Sequence, residues 1–175
     1  WVPSLVAMKA GDLLNDLTME EIQGVTGYLA QPGAGISFHE MTTADIRQLI
    51  AMFAEATDRA RRAGFDAVEI HAAHGYLISA FLSPASNQRT DEYGGSLENR
   101  ARLLVDVLHA VKQRVGASFP VWCRLDAQEF RIEDGITIDA AQRVAMMAAA
   151  AGADSIHVIS YAEPTSGVAF TDAPE

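Results

Sequence analysis

The stretch Ala63-Gly64-Phe65-Asp66-Ala67-Val68-Glu69-Ile70-His71-Ala72-Ala73-His74-Gly75-Tyr76 decides how the rest of the chain is read. Gly64 stops a helix, and the run from Phe65 to His71 then carries β-branched residues into a Gly-containing segment, as a short buried strand does. On its N-terminal side Ile46, Leu49, Ile50, Phe53 and Ala60 recur at helical spacing behind a Thr42-x-x-Asp45 cap, which predicts a helix over 43–63. A helix therefore hands over to a strand, and the strand ends in two imidazoles and a phenol.

The same alternation continues downstream. Ser96 caps a second helix whose Ala101, Leu104, Val105, Leu108 and Val111 form one apolar stripe ending near Gly116. Pro120 to Leu125 reads as a second strand, 137–151 as a third helix closed by Gly152, and Asp154 to Ser160 as a third strand. The predicted order is α-β-α-β-α-β. Strands separated by helices of this length imply a parallel α/β sheet with right-handed crossovers, either doubly wound or a (β/α)8 barrel. No G-x-G-x-x-G or P-loop follows any strand, which lowers the nucleotide-binding doubly wound option. A barrel needs about 250 residues, so this chain would hold part of one. Upstream, Thr18 to Glu21 has capping-box spacing, and Ile22, Val25 and Leu29 predict a short helix halted by Pro32, Gly33 and Gly35. Residues 1–40 are expected to be an irregular lead-in to a single domain spanning 1–175.

Of the 175 residues 49% are apolar, enough for a substantial core, and the net charge of −10 argues against nucleic acid or an anionic membrane as a main partner. The longest apolar run, Val144 to Ala151, is far shorter than a bilayer span. The single cysteine, Cys123, can form neither an internal disulfide nor a cysteine-based zinc site, which makes a reducing, cytoplasmic setting the expectation. Trp1-Val2-Pro3-Ser4 has neither an initiator Met nor a signal pattern, as for a chain that starts inside a longer one.

His71, His74 and Tyr76 are the densest chemical cluster, at the C-terminal end of a strand, where barrel enzymes carry their catalytic groups. Two imidazoles three residues apart can both reach one small oxygen, as metal ligands or as donors to a developing oxyanion, and Tyr76 adds a weakly acidic O–H. That set suits carbonyl-linked proton transfer. A metal site lacks a carboxylate or third His at an obvious spacing, so none is assigned. Two histidines merely satisfied at a strand end remain an alternative on spacing alone.

The segment Ala63 to Leu77, followed by Phe81-Leu82-Ser83-Pro84, Asn87 and Arg89-Thr-Asp-Glu-Tyr-Gly-Gly-Ser-Leu-Glu-Asn-Arg100, resembles the old yellow enzyme family, FMN-dependent ene-reductases that include bacterial 2,4-dienoyl-CoA reductases. The resemblance is strong from about Glu40 to Ser160 and weak before it. It implies a (β/α)8 barrel with FMN across the C-terminal mouth, the three strands here being the fourth to sixth. It further implies that His71 and His74 bind the substrate's activating carbonyl oxygen, where some members carry His then Asn. Tyr76 would donate a proton to the carbon alpha to that carbonyl, reduced flavin would deliver hydride to the beta carbon, and Arg124 would lie beside the flavin pyrimidine. NADH or NADPH would be the electron donor.

Other residues draw plainer readings. Arg89 to Arg100 matches a family signature, but its turn glycines, Ser cap and charges suit a structural role. Cys123 is expected in the core, and Asp58-Arg59-Ala60-Arg61-Arg62 at a solvated helix end. Asp126, Gln128 and Glu129 could border the mouth, with no role selected. The family's flavin-contacting Gln, its His-containing segment on earlier strands and its phosphate-gripping region on the last two strands are not recognisable. Any iron-sulfur cluster or second dinucleotide domain would lie outside this chain. The leading expectation is an FMN-dependent oxidoreductase that reduces an activated C=C bond of an enone or enoyl thioester. The alternatives are a fragment or half-barrel inactive alone and, more remotely, a metal-dependent barrel lyase. Expected partners are a small-molecule substrate and the remaining barrel segments, with a homo-oligomer left open.

Overall fold

Thr42 and Asp45 set the first helix by reciprocal hydrogen bonds: the Asp45 N–H donates to Thr42 Oγ1 at 3.2 Å, and the Thr42 N–H donates to Asp45 Oδ2 at 2.8 Å. The computed structural model describes residues 1–4, 23 and 39–162. The helix foreseen after Thr18, the loop at Pro32 to Gly35 and most of the 1–40 lead-in lie outside the described residues. From the cap, α1 runs Thr43–Arg62 and ends at Ala63 and Gly64, where a φ of 90° lets the chain reverse.

Strand β1 covers Val68–Ala72, three residues later than the expected start, because Phe65 still belongs to the turn and donates its N–H to the Ala60 carbonyl. A six-residue helix that the periodicity did not suggest, α2 (Leu77–Leu82), follows. Then α3 (Leu97–Val115) begins at the Ser96 cap, whose hydroxyl accepts the Asn99 N–H at 3.2 Å. Strand β2 (Val121–Phe130) is longer than expected, and α4 (Ile138–Ala150) and β3 (Ser155–Ala162) complete the order. The observed sequence is thus α-β-α-α-β-α-β.

The strands form one parallel sheet in the order β1-β2-β3. One face is apolar: Ile70, Ala72, Val121, Cys123 and Leu125 pack with Leu104, Leu108 and Val111 of α3 and Val144 of α4 in a single buried cluster. Each such aliphatic side chain contributes roughly 1.5–3 kcal/mol when fully buried. The helices cover that face, so residues of opposite strand parity, Glu69, His71, Trp122, Arg124 and His157, look the other way. Among the described residues, no helix is long and apolar enough to cross a membrane.

Candidate active site

Strand register lines up the polar face. His71 on β1 is paired with Arg124 on β2, which is paired with His157 on β3. Glu69, two residues before His71 and therefore on the same face, reaches Arg124 Nε at 2.7 Å and His157 Nδ1 at 2.9 Å. One carboxylate thus holds two cationic or potentially cationic side chains across three strands.

Beyond Ala72 the chain turns sharply, with His74 in the left-handed region at φ 61° and Gly75 at φ 66°. The turn folds His74 back onto its predecessor: His74 Nδ1 lies 3.3 Å from His71 Nε2, and the ring centroids are 5.0 Å apart. Tyr76 is the N-cap residue of α2, with its ring 5.3 Å from that of His71 and 6.4 Å from that of His74. It is 63% exposed. The structure therefore brings His71, His74 and Tyr76 into one edge-on cluster at the C-terminal end of β1, with Arg124 on the adjoining strand.

His71 has a distinctive electrostatic position. Its imidazole is held below the usual histidine pKa, first by burial and then by the neighbouring His74 and Arg124, while Asp126 and Glu69 pull the other way. A neutral ring is favoured at neutral pH. Its Nδ1 is buried and has no hydrogen-bond partner among the described residues.

Behind the rings lies a buried polar layer in which sequence reasoning found no role. After Leu125 the alternation of β2 breaks: its pairing with β3 shifts between Asp126 and Glu129, and both carboxyl groups are buried. Ser79 on α2 and Ser83, the residue that ends it, donate to them, Ser79 Oγ to Asp126 Oδ2 at 2.8 Å and Ser83 Oγ to Glu129 Oε2 at 2.6 Å. Asp126 Oδ2 also accepts the His74 backbone N–H at 2.8 Å, and Glu129 Oε2 the Ile136 N–H at 2.8 Å. Burial pushes the Glu129 carboxyl above the ordinary glutamate range, against the hydrogen bonds from Ser83 and Ile136. The signal was present as two carboxylates three residues apart and two serines four apart, but it connects only once α2 lies across the end of β2.

Other polar groups serve the fold. Arg89 grips Asp91 through Nε at 3.0 Å and donates to the carbonyls of Pro3 and Met41, which ties the start of the chain to this loop. Asn87 bridges the Phe81 and Tyr93 carbonyls, and Arg100 binds those of Leu82 and Gly95. Gly94 leaves no room for a Cβ against the Arg89 carbonyl. Cys123 is buried and its thiol is pushed up to about 12, so it is a core residue. The helix end at 58–62 differs from expectation in one respect. Asp58 is buried, not solvated, and pairs with Arg61 at 3.0 Å and Arg62 at 3.3 Å, with Arg114 of α3 at 3.5 Å. Among the described residues no group of three or more His, Cys, Asp or Glu is arranged to hold a metal.

The chain is similar to known oxidoreductases. Over 98 residues the chain is 52% identical to an NADPH dehydrogenase of Clostridium acetobutylicum, covering 56% of this chain and 29% of that protein. Over 138 residues it is 40% identical to a cinnamate reductase of Clostridium sporogenes, covering 70% of this chain and 21% of that protein. A 2-naphthoyl-CoA reductase solved with 2-naphthoyl-CoA superposes with a TM-score of 0.69 at 35% identity, over 76% of this chain and 20% of that one. The chain spans less than a third of the length of each. Its parallel α/β architecture is part of a (β/α)8 barrel, with the polar row of Glu69, His71, Arg124 and His157 on the inner side. Residues 14–172 match the family model for NADH:flavin oxidoreductases and NADH oxidases, and the chain belongs to that oxidoreductase family.

Proposed function

We propose that the protein is an FMN-dependent oxidoreductase that reduces an activated C=C bond, in an enone or enoyl thioester, with NADH or NADPH as electron donor. In this reading the three strands are the fourth to sixth of the barrel and carry the carbonyl-binding and proton-donating groups. The observation that carries it is the cluster of His71, His74 and Tyr76 at the end of β1, with the two imidazoles 3.3 Å apart and the Tyr76 ring beside them. Cinnamate and 2-naphthoyl-CoA, which give two relatives their names, both hold an acyl carbon conjugated to unsaturated carbon.

The residues present fit a flavin. Arg124 forms an ion pair with Glu69, Nε to Oε1 at 2.7 Å, and stands next to His71 in the register, where a guanidinium suits an electron-rich ring. Arg124 would hold the flavin, which when bound supplies the hydride. His71 and His74 bind the carbonyl oxygen and stabilise the negative charge that grows there. Tyr76 holds its phenolic proton above the α-carbon, delivers it there, and is reprotonated from the solvent to which it is open.

A second reading concerns these 175 residues alone. Among the described residues β1 and β3 are each paired on one side only, and the chain spans less than a third of each relative described above, so by itself it is an inactive barrel segment. Titration of FMN separates the two: the isolated chain is expected not to bind it, and tight stoichiometric binding would overturn this second reading. For the first, the purified full-length protein should absorb at about 450 nm as flavin does, bleach with NAD(P)H under anaerobic conditions and recolour on adding 2-cyclohexenone. A colourless protein, or one that does not recolour, refutes it.

A further inference from the structure

We propose that Asp126 is a positioning residue for carbonyl binding, fixing the His74 imidazole by accepting the His74 backbone N–H from the neighbouring strand. The proposal rests on the reading of His71 and His74 as the carbonyl-binding pair.

His74 needs such a restraint. Its φ of 61° is unfavourable for a residue with a Cβ, and within the turn only Gly75 and a long Tyr76 N–H to Ala73 carbonyl hydrogen bond of 3.3 Å support it locally. The side chain of His74 points at His71 only because the backbone turns here. The described contact that fixes this backbone to the sheet is the 2.8 Å hydrogen bond from the His74 N–H to Asp126 Oδ2, made across 52 residues of sequence.

Asp126 itself is poorly accounted for as a stabilising residue. It is 2% exposed, its Oδ2 takes both the His74 N–H and the Ser79 hydroxyl, and its Oδ1 is buried with no partner among the described residues. It lines a cavity of about 10 Å³ whose other walls are apolar: Leu82, Leu97, Leu125, Ile136, Ala141 and Val144. Such walls offer a water none of the further polar partners it would need. A carboxyl group half satisfied in apolar surroundings costs stability. What it supplies is an acceptor on β2, where the break in strand pairing after Asp126 lets its side chain reach the turn that ends β1. The Ser79 hydroxyl holds that acceptor from α2, so β2, α2 and the imidazole turn meet at one oxygen atom.

The test uses the full-length flavin-loaded protein with Asp126→Ala, Asp126→Asn, His74→Ala and the Asp126→Ala/His74→Ala double variant. Two quantities are read: KM and kcat for 2-cyclohexenone, and hydrogen exchange of the His74 amide. Asp126→Ala is expected to raise KM by about tenfold or more and to speed His74 exchange by a similar factor. Asp126→Asn, whose side-chain oxygen accepts the same two donors, should bring both back to within about threefold of the parent. In the His74→Ala background Asp126→Ala should add no further loss, because its effect passes through the missing ring. Additive losses in the double variant, an Asn variant as impaired as Ala, or unchanged His74 exchange in Asp126→Ala each overturn the proposal. Should Asp126→Ala not fold, Asp126→Leu with Ser79→Ala removes the acceptor and its buried donor together and takes its place. If neither folds, Asp126 belongs to the fold and the proposal falls. A parent enzyme that binds flavin but does not turn over enones overturns the functional reading and the enone arm of this proposal together. Failure of the exchange result alone overturns only the role of Asp126.

Discussion

His71 Nε2 and His74 Nδ1 face each other at 3.3 Å, so a proton between them ties the two rings together and leaves His71 Nδ1, which is buried, and His74 Nε2 as the remaining ring nitrogens. While both imidazoles are neutral, one of these nitrogens carries a hydrogen and the other a lone pair, and His74 Nε2 carries the hydrogen when His71 is the inward donor. His71 then prepares His74 to donate to an oxyanion. Replacing it in His71→Ala should weaken binding of 4-nitrophenolate, a mimic of an enolate oxygen that is already ionised at pH 8, by about tenfold. Absorbance titration reads the affinity directly, and unchanged binding contradicts the inward hydrogen bond.

Tyr76 stands at the rim with its ring 5.3 Å from His71 and no side-chain role in capping α2, so its hydroxyl is free for chemistry. Tyr76→Phe should slow oxidation of the reduced flavin by 2-cyclohexenone by about 10²–10⁴-fold, the usual contribution of a positioned general acid. Flavin reduction by NAD(P)H should be unaffected. Rapid-mixing absorbance of the two half-reactions measures both, and equal slowing would remove Tyr76 from the proton-donor role.

Glu129 gives a stability prediction with a definite sign. Its carboxyl is raised by burial above its unfolded value, so the folded state holds the proton more tightly than the unfolded chain. That contribution is fully present below the unfolded pKa and is lost as pH rises through the higher folded one. Both its hydrogen-bond donors approach one oxygen, Oε2, which a Gln side-chain oxygen can replace. Glu129→Gln should raise Tm at pH 8 relative to the parent and raise it less, or not at all, at pH 4. The reverse ordering would mean that the buried group is not the one titrating.

The turn from Arg89 to Gly95 supports the fold without touching the rings. A Cβ on Gly94 would run into the Arg89 carbonyl and its Cβ, both rigidly held because Arg89 also binds Asp91, Pro3 and Met41. Gly94→Ala should cost about 1–3 kcal/mol, as overpacking does, seen as a lowered urea midpoint. The folded fraction should keep its KM for enone.

Much of this arrangement was legible before any coordinates. Thr42 and Ser96 each cap a helix at the expected residue, and Thr137, read as the first residue of the third helix, is its cap, since a cap is a local bond within one turn and leaves its mark in neighbouring letters. The clustering of His71, His74 and Tyr76 followed from their spacing at a strand end. Helix α2 was missed because Tyr76 makes no side-chain cap bond and six residues are too few for a periodic stripe. The second half of β2 was missed because Asp126, Gln128 and Glu129 look like a solvated loop. Two of them are buried only because serines about 46 residues away satisfy them. Pairings of that range have no signature in the letters around either partner.

Among the described residues β1 and β3 are each paired on one side only, which has an outcome for handling the molecule. The other margins carry, among those residues, rows of amide hydrogens and carbonyl oxygens without a strand partner, and Val158, 62% exposed on β3, adds a greasy surface beside one of them. Produced by itself, this polypeptide would recruit any extended neighbour, including another molecule of its own kind, and precipitation from dilute buffer would report that unmet demand for strands.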